Sequence, residues 1–141
     1  MIKTGGKNRY CGPYAIGYLA GINSDEAAKA IRKVSGQRAV KMTYSNHISP
    51  ALTNLGIKHK TKWFWPDPVT WKKWRNNFMR GKGLYLVLIT GHFIIVDAGV
   101  IKDNHEFNGT LAKDMPARKK VLAAWEISPT TINHKLPTET K

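Results

Sequence analysis

The chain has 141 residues, 42% of them hydrophobic, and its 23 Lys and Arg against 9 Asp and Glu give a formal net charge of +14. That length reads as a single domain with a core that needs no staples. A single cysteine excludes a disulfide within the chain and a four-cysteine zinc site. The histidines show no metal-ligand spacing, so neither a metal nor any other cofactor is implied. Residues 1–6 have no apolar signal core. The longest apolar run, Leu84 to Val96, is broken by Thr90, Gly91 and His92, so no membrane span is expected. The expectation is a protein of the (host) cytoplasm or one carried in a virion, not one secreted by a signal peptide.

In chain order, a first helix starts at Cys11, since Pro13 suits a first turn, and runs through Tyr14, Ala15, Ile16, Tyr18 and Leu19 until Gly21 stops it. Ser24 is expected to cap a second helix, with Asp25 and Glu26 in its first turn, Gly36 at its end and Lys29, Arg32 and Lys33 on its exposed face. A short third helix falls between Ser45 and Leu55, before Gly56, with Pro50 favouring its first turn. Residues 57–65 alternate as a strand. Asp67-Pro68 is then expected to cap a tryptophan-rich helix reaching Met79, with Trp71, Trp74 and Phe78 on its buried face. Gly81 and Gly83 frame a turn into strands at 84–89, 92–97 and 100–104. Residues 105–118 read as a loop, 120–127 as the last strand, and 128–141 as a polar tail or partner-binding arm. Helices first and a mainly antiparallel sheet afterwards make the fold class α+β, in one domain over 1–127.

Two segments carry chemistry. In Tyr10-Cys11-Gly12-Pro13-Tyr14-Ala15 the thiol stands at a helix start, where unengaged backbone N–H groups and the helix dipole favour thiolate. In Gly91-His92-Phe93-Ile94-Ile95-Val96 a histidine opens an apolar strand. If Ala98-Gly99 is a two-residue turn, Asp97 pairs with Val100, Val96 with Ile101, Ile94 with Asp103 and Phe93 with Asn104. Side chains alternate along a strand, so Asp103 falls on the face of His92, one diagonal step away, while the nearer Asp97 points to the other side. A register slip of one residue would bring Asn104 there instead.

These segments, with Gly99-Val100-Ile101-Lys102-Asp103-Asn104, resemble the papain-like cysteine peptidases, particularly the small C39-like members of bacteria and phages. The resemblance spans about residues 5–127, and its specific motifs fill a fifth of that. It implies a papain-like fold with the nucleophile at the start of the first helix. Cys11 would be the nucleophile, His92 the general base and Asp103 the orienting acid, with Asn104 the alternative third member. The family's oxyanion glutamine has no counterpart in Thr4-Gly5-Gly6-Lys7-Asn8-Arg9-Tyr10, where Asn8 is the only side-chain amide that can replace it. Tyr10, Tyr14 and Trp63 are candidates for lining a substrate cleft. The implied activity is cleavage of a peptide or isopeptide bond in a peptide or protein substrate.

The charge opens a second reading, since +14 attracts an acidic partner. The basic residues are dispersed among Trp63, Trp65, Trp71 and Trp74, a mixture that suits base stacking with phosphate contact. The helical spacing of Trp71 and Trp74 has the simpler explanation of a buried face. On the second reading the chain is a catalytically weak or inactive papain-like module of a virion or nucleoprotein assembly, held to nucleic acid or an acidic partner by its charge. A third is an anti-host factor that acts by binding alone.

Overall fold

The computed structural model describes residues 11–36, 45–64, 66–81, 83–104 and 107–128. Asn8, Tyr10, Trp65 and the expected tail after Ser128 lie outside them. The architecture is mixed helix and antiparallel sheet, as the order of the predicted elements implies. The chain divides into two compact units, residues 1–59 with 128–141, and residues 60–127.

The described part of the first unit is helical: α1 (Cys11–Ala20), α2 (Ser24–Ser35), then a 3-10 turn (Ser45–His47) running directly into α3 (Ile48–Asn54). Helix α1 has no charged residue and buries Ala15, Ile16, Gly17, Tyr18 and Leu19 in succession, as a core helix does. Helix α2 is amphipathic, with Ala27, Ala28 and Ile31 buried and Asp25, Glu26, Lys29 and Lys33 exposed. Its cap is Asn23 and not the expected Ser24. Asn23 has extended backbone and accepts the Glu26 N–H at 2.9 Å, whereas Ser24 is already helical and buried. Gly36 ends α2 in the left-handed region (φ 73), its N–H donating to the Arg32 carbonyl.

In the second unit a six-stranded sheet has the order β1 (His59–Trp63, whose first residue belongs to the other unit), β6 (Lys120–Ile127), β3 (Leu84–Ile89), β4 (His92–Asp97), β5 (Val100–Lys102). The two-residue β2 (Val69–Thr70) also pairs with β6, and the β2–β6, β6–β3, β3–β4 and β4–β5 pairings are antiparallel. Because β2 is held by Val121 and Lys120, α4 (Trp71–Asn77) starts only after it. Its cap is therefore Thr70, which accepts the Lys73 N–H, and not Asp67. Trp71 and Trp74 are buried at 1% exposure, as their spacing predicts, but Phe78 is 36% exposed. The helix stops at Asn77, so Phe78 leaves the helical stripe (φ −122) and packs edge-on against Phe64.

One face of the sheet, with Tyr85, Val87, Ile89, Ile94, Val96 and Ile101, packs with Trp71, Trp74, Ala112 and Met115 in one cluster. The segment expected as a plain loop therefore contributes to the core. The Trp71 indole N–H donates to the Ala112 carbonyl at 2.8 Å, and the Trp71 and Lys72 backbone N–H groups donate to Lys119 and Ala117. These bonds engage donors that a helix start leaves open.

The β4–β5 turn is Ala98-Gly99, with positive φ at both residues (51 and 83), the requirement of a type I′ turn. Ala98 adopts this region against its preference, so Ala98→Asn should raise unfolding stability by about 1 kcal/mol, read from urea denaturation. Trp71→Phe should lower it by about 1 kcal/mol, because the buried Ala112 carbonyl loses its shorter hydrogen bond and keeps only the Met115 N–H at 3.3 Å. The same titration reads both.

Candidate active site

His92 is the first residue of β4, and its partner across the β3 ladder is Ile89. Beside that pair the β3–β6 register shifts between Leu88 and Ile89, a bulge of the kind that re-aims side chains at the end of a ladder. On the other side of β4 the register is Asp97↔Val100, Val96↔Ile101 and Ile95↔Lys102, as the two-residue turn predicts. Continuing it by one residue sets Asp103 opposite Ile94, on the His92 face.

Strand β5 ends at Lys102, short of the expected residue 104. The Asp103 N–H turns away to the Asn108 side-chain oxygen (3.1 Å), and the Phe107 N–H donates back to Asp103 Oδ2 (3.2 Å). Past the turn the chain returns along β5: Ile101 donates to Thr110, Gly109 donates to Ile101, and Val100 bridges Leu111. Asn108 has a supporting role that the sequence reading did not assign. Its nearest signal is the turn-forming Asn108-Gly109 pair.

The Asp103 side chain is fully shut from solvent, and its Oδ1 lies 2.6 Å from His92 Nε2, on a ring that is 22% exposed. A carboxylate in so dry a place is costly unless donors face it; here the imidazole engages one oxygen and a backbone amide the other. A carboxylate only accepts, so Nε2 carries the hydrogen, and the ring when neutral keeps its lone pair on Nδ1. Asn104, the alternative third member, is exposed on the turn. The imidazole contact at 2.6 Å is with Asp103.

Cys11 is the first residue of α1 in the other unit, half-buried, on the turn where backbone N–H groups lack helical acceptors. Of the residues suggested for a cleft, Tyr14 is half-buried and Trp63 is 49% exposed, edge-on to Trp125. Among the described residues no three His, Cys, Asp or Glu side chains cluster so as to hold a metal ion. No helix among them is long and apolar enough to cross a membrane.

No family model matches this chain, and no curated protein or solved structure matches it. The chemistry of the site is therefore read from its own residues.

In 15N NMR, Nε2 of His92 in the wild type should carry a hydrogen at neutral pH. Asp103→Asn, whose side-chain oxygen still accepts, should keep it. Asp103→Ala should lose it and cost about 1–3 kcal/mol of stability, since the part-buried Phe107 amide loses its acceptor and the ring its orienting partner.

Proposed function

We propose that the chain is a papain-like cysteine peptidase or amidase that cleaves a peptide or isopeptide bond with Cys11, His92 and Asp103. The observation that carries this reading is the 2.6 Å contact between His92 and a carboxylate removed from solvent. Such a contact orients an imidazole and stabilises the imidazolium that forms in the reaction. Placement of the lone thiol on the first turn of α1 adds to it.

In this mechanism Asp103 occupies Nε2, so the proton is exchanged with the thiol through Nδ1 of His92. The thiolate attacks the substrate carbonyl carbon, and the tetrahedral oxyanion takes a hydrogen bond from the Cys11 backbone N–H, with Asn8 as the candidate second donor. Collapse breaks the C–N bond as Nδ1–H delivers its proton to the leaving amine. His92 then removes a proton from water, the water attacks the thioester, and the acid product leaves as the thiol is restored. Losing one oxyanion donor costs such a reaction about a hundred- to thousandfold, so Asn8→Ala should reduce turnover by that order if Asn8 is the donor.

Alkylation of Cys11 followed against pH tests the reading. The wild type should show an inflection well below the value of about 8.5 typical of a free thiol, and His92→Ala should abolish it or move it upward. A slow reaction that titrates like an ordinary thiol would reject the peptidase. The net charge would then favour the binding module, whose nucleic-acid affinity falls with salt and is indifferent to Cys11→Ala.

A further inference from the structure

Within the second unit, a cavity of about 310 Å3 lies between β1, the end of α4 and strands β3 and β6. Its Tyr85 pairs with Val96, whereas His92 pairs with Ile89 at the other end of the same ladder. Four residues along a strand separate the two places by about 13 Å. The cavity is therefore not part of the His92–Asp103 site, and what it binds does not depend on the peptidase reading.

Three cations line it: Lys60 and Lys62, alternate residues of the exposed strand β1, and Arg80 after α4. None forms an ion pair among the described residues, and neither does Glu126 on the same wall. Trp74 and Tyr85 supply a buried floor, and the Tyr85 hydroxyl accepts the Arg80 backbone N–H at 2.8 Å. Phe78, 36% exposed just past the end of α4, stands on the rim with its ring centroid 5.1 Å from that of Phe64 and the two planes 69° apart. Lys62 Nζ lies 6.0 Å above its ring, at the outer limit of a cation–π contact, so another partner can draw it away at small loss.

Like charges converging on a hollow repel one another until an anion joins them. A bare anion fits poorly, because Glu126 would face it. The ligand must bring negative charge for Lys60, Lys62 and Arg80, hydrogen-bond donors for Glu126, and an aromatic plane for Phe78. The volume is at the lower end of small-molecule sites, about 300 Å3, which suits one such unit and not a dinucleotide. We propose that this cavity binds a nucleoside phosphate, with its base stacked on Phe78, its phosphate between Lys60, Lys62 and Arg80, and Glu126 accepting from the ribose hydroxyls or an exocyclic amine. The unit is either a free nucleotide or one residue of a single strand.

Calorimetric titration of the full chain with adenosine 5′-monophosphate, adenosine, inorganic phosphate and a tetra-adenylate tests this. The monophosphate should bind saturably at one site, about tenfold or more tighter than adenosine or phosphate alone, since it alone engages both the ring and the cations. Phe78→Ala and the double variant Lys60→Ala/Lys62→Ala should each weaken it by about tenfold. Lys113→Ala/Arg118→Ala, the same charge change on exposed residues outside the cavity, should not alter it. If Phe78→Ala does not fold, the double lysine variant on the exposed strand carries the test. A tetra-adenylate no tighter than the monophosphate identifies a free nucleotide. One that binds far tighter, with the same dependence on Phe78, identifies a residue of a single strand. Absence of saturation, equal binding of phosphate and monophosphate, or equal loss in both double variants would overturn the proposal.

Discussion

The turn at Ala98-Gly99 sets the geometry on which the candidate site depends. Two residues with positive φ connect β4 to β5 in the twist that a tight hairpin needs, and they allow one register. In that register Asp103 falls on the face of His92. One residue more or less in the turn would send Asp103 to the opposite side of the sheet and replace it with a neighbour. An alanine in the left-handed region is an unfavourable choice, costing about 1–2 kcal/mol. The apolar ladder of Ile94, Ile95, Val96 and Ile101, all buried, outweighs it.

Register brings the carboxylate to the histidine, and the turn after β5 holds it there. By engaging the Asp103 amide with Asn108 and the Asp103 carboxylate with the Phe107 N–H, the chain folds around the acid and excludes water from it. Exclusion of water strengthens the contact with His92 while making the carboxylate dependent on it. Orientation of the ring and burial of the acid are thus a single device. The adjacent shift in the β3–β6 ladder falls at Ile89, the residue paired with His92, while the β3–β4 ladder stays regular to its end.

The aromatic and basic residues, interleaved along the sequence, separate in space. Trp71 and Trp74 enter the core of the second unit, where the Trp71 indole N–H closes on Ala112. Phe78 remains at the surface because α4 is only two turns long, and it stands with Lys60, Lys62 and Arg80 at the opposite end of the sheet from His92. Three of the 23 Lys and Arg thus share a cavity where a helix end meets an edge strand.

Where local chemistry decides an element, the sequence was enough. The α2 stop at Gly36, the strands at 84–89, 92–97 and 120–127, and the hairpin register follow from turn residues and apolar runs that act within a few positions. So does the expectation that Asp103 falls on the face of His92, because strand alternation is a local rule carried across one short turn; the contact itself decides between Asp103 and Asn104. Long-range contacts decided the rest. Pairing of Val69 and Thr70 with β6 moved the α4 cap from Asp67 to Thr70 and shortened the helix face that Phe78 was expected to join. Residues 107–118, too mixed in polarity to read as structure, supply Ala112 and Met115 to the core because α4 and the sheet surround them. By itself the sequence determined the classes of the main elements and the hairpin, and narrowed the partner of His92 to Asp103 or Asn104. Only the tertiary structure decided that Thr70 caps α4, how dry the carboxylate became and which cations share a cavity, since each depends on surfaces brought together from distant parts of the chain.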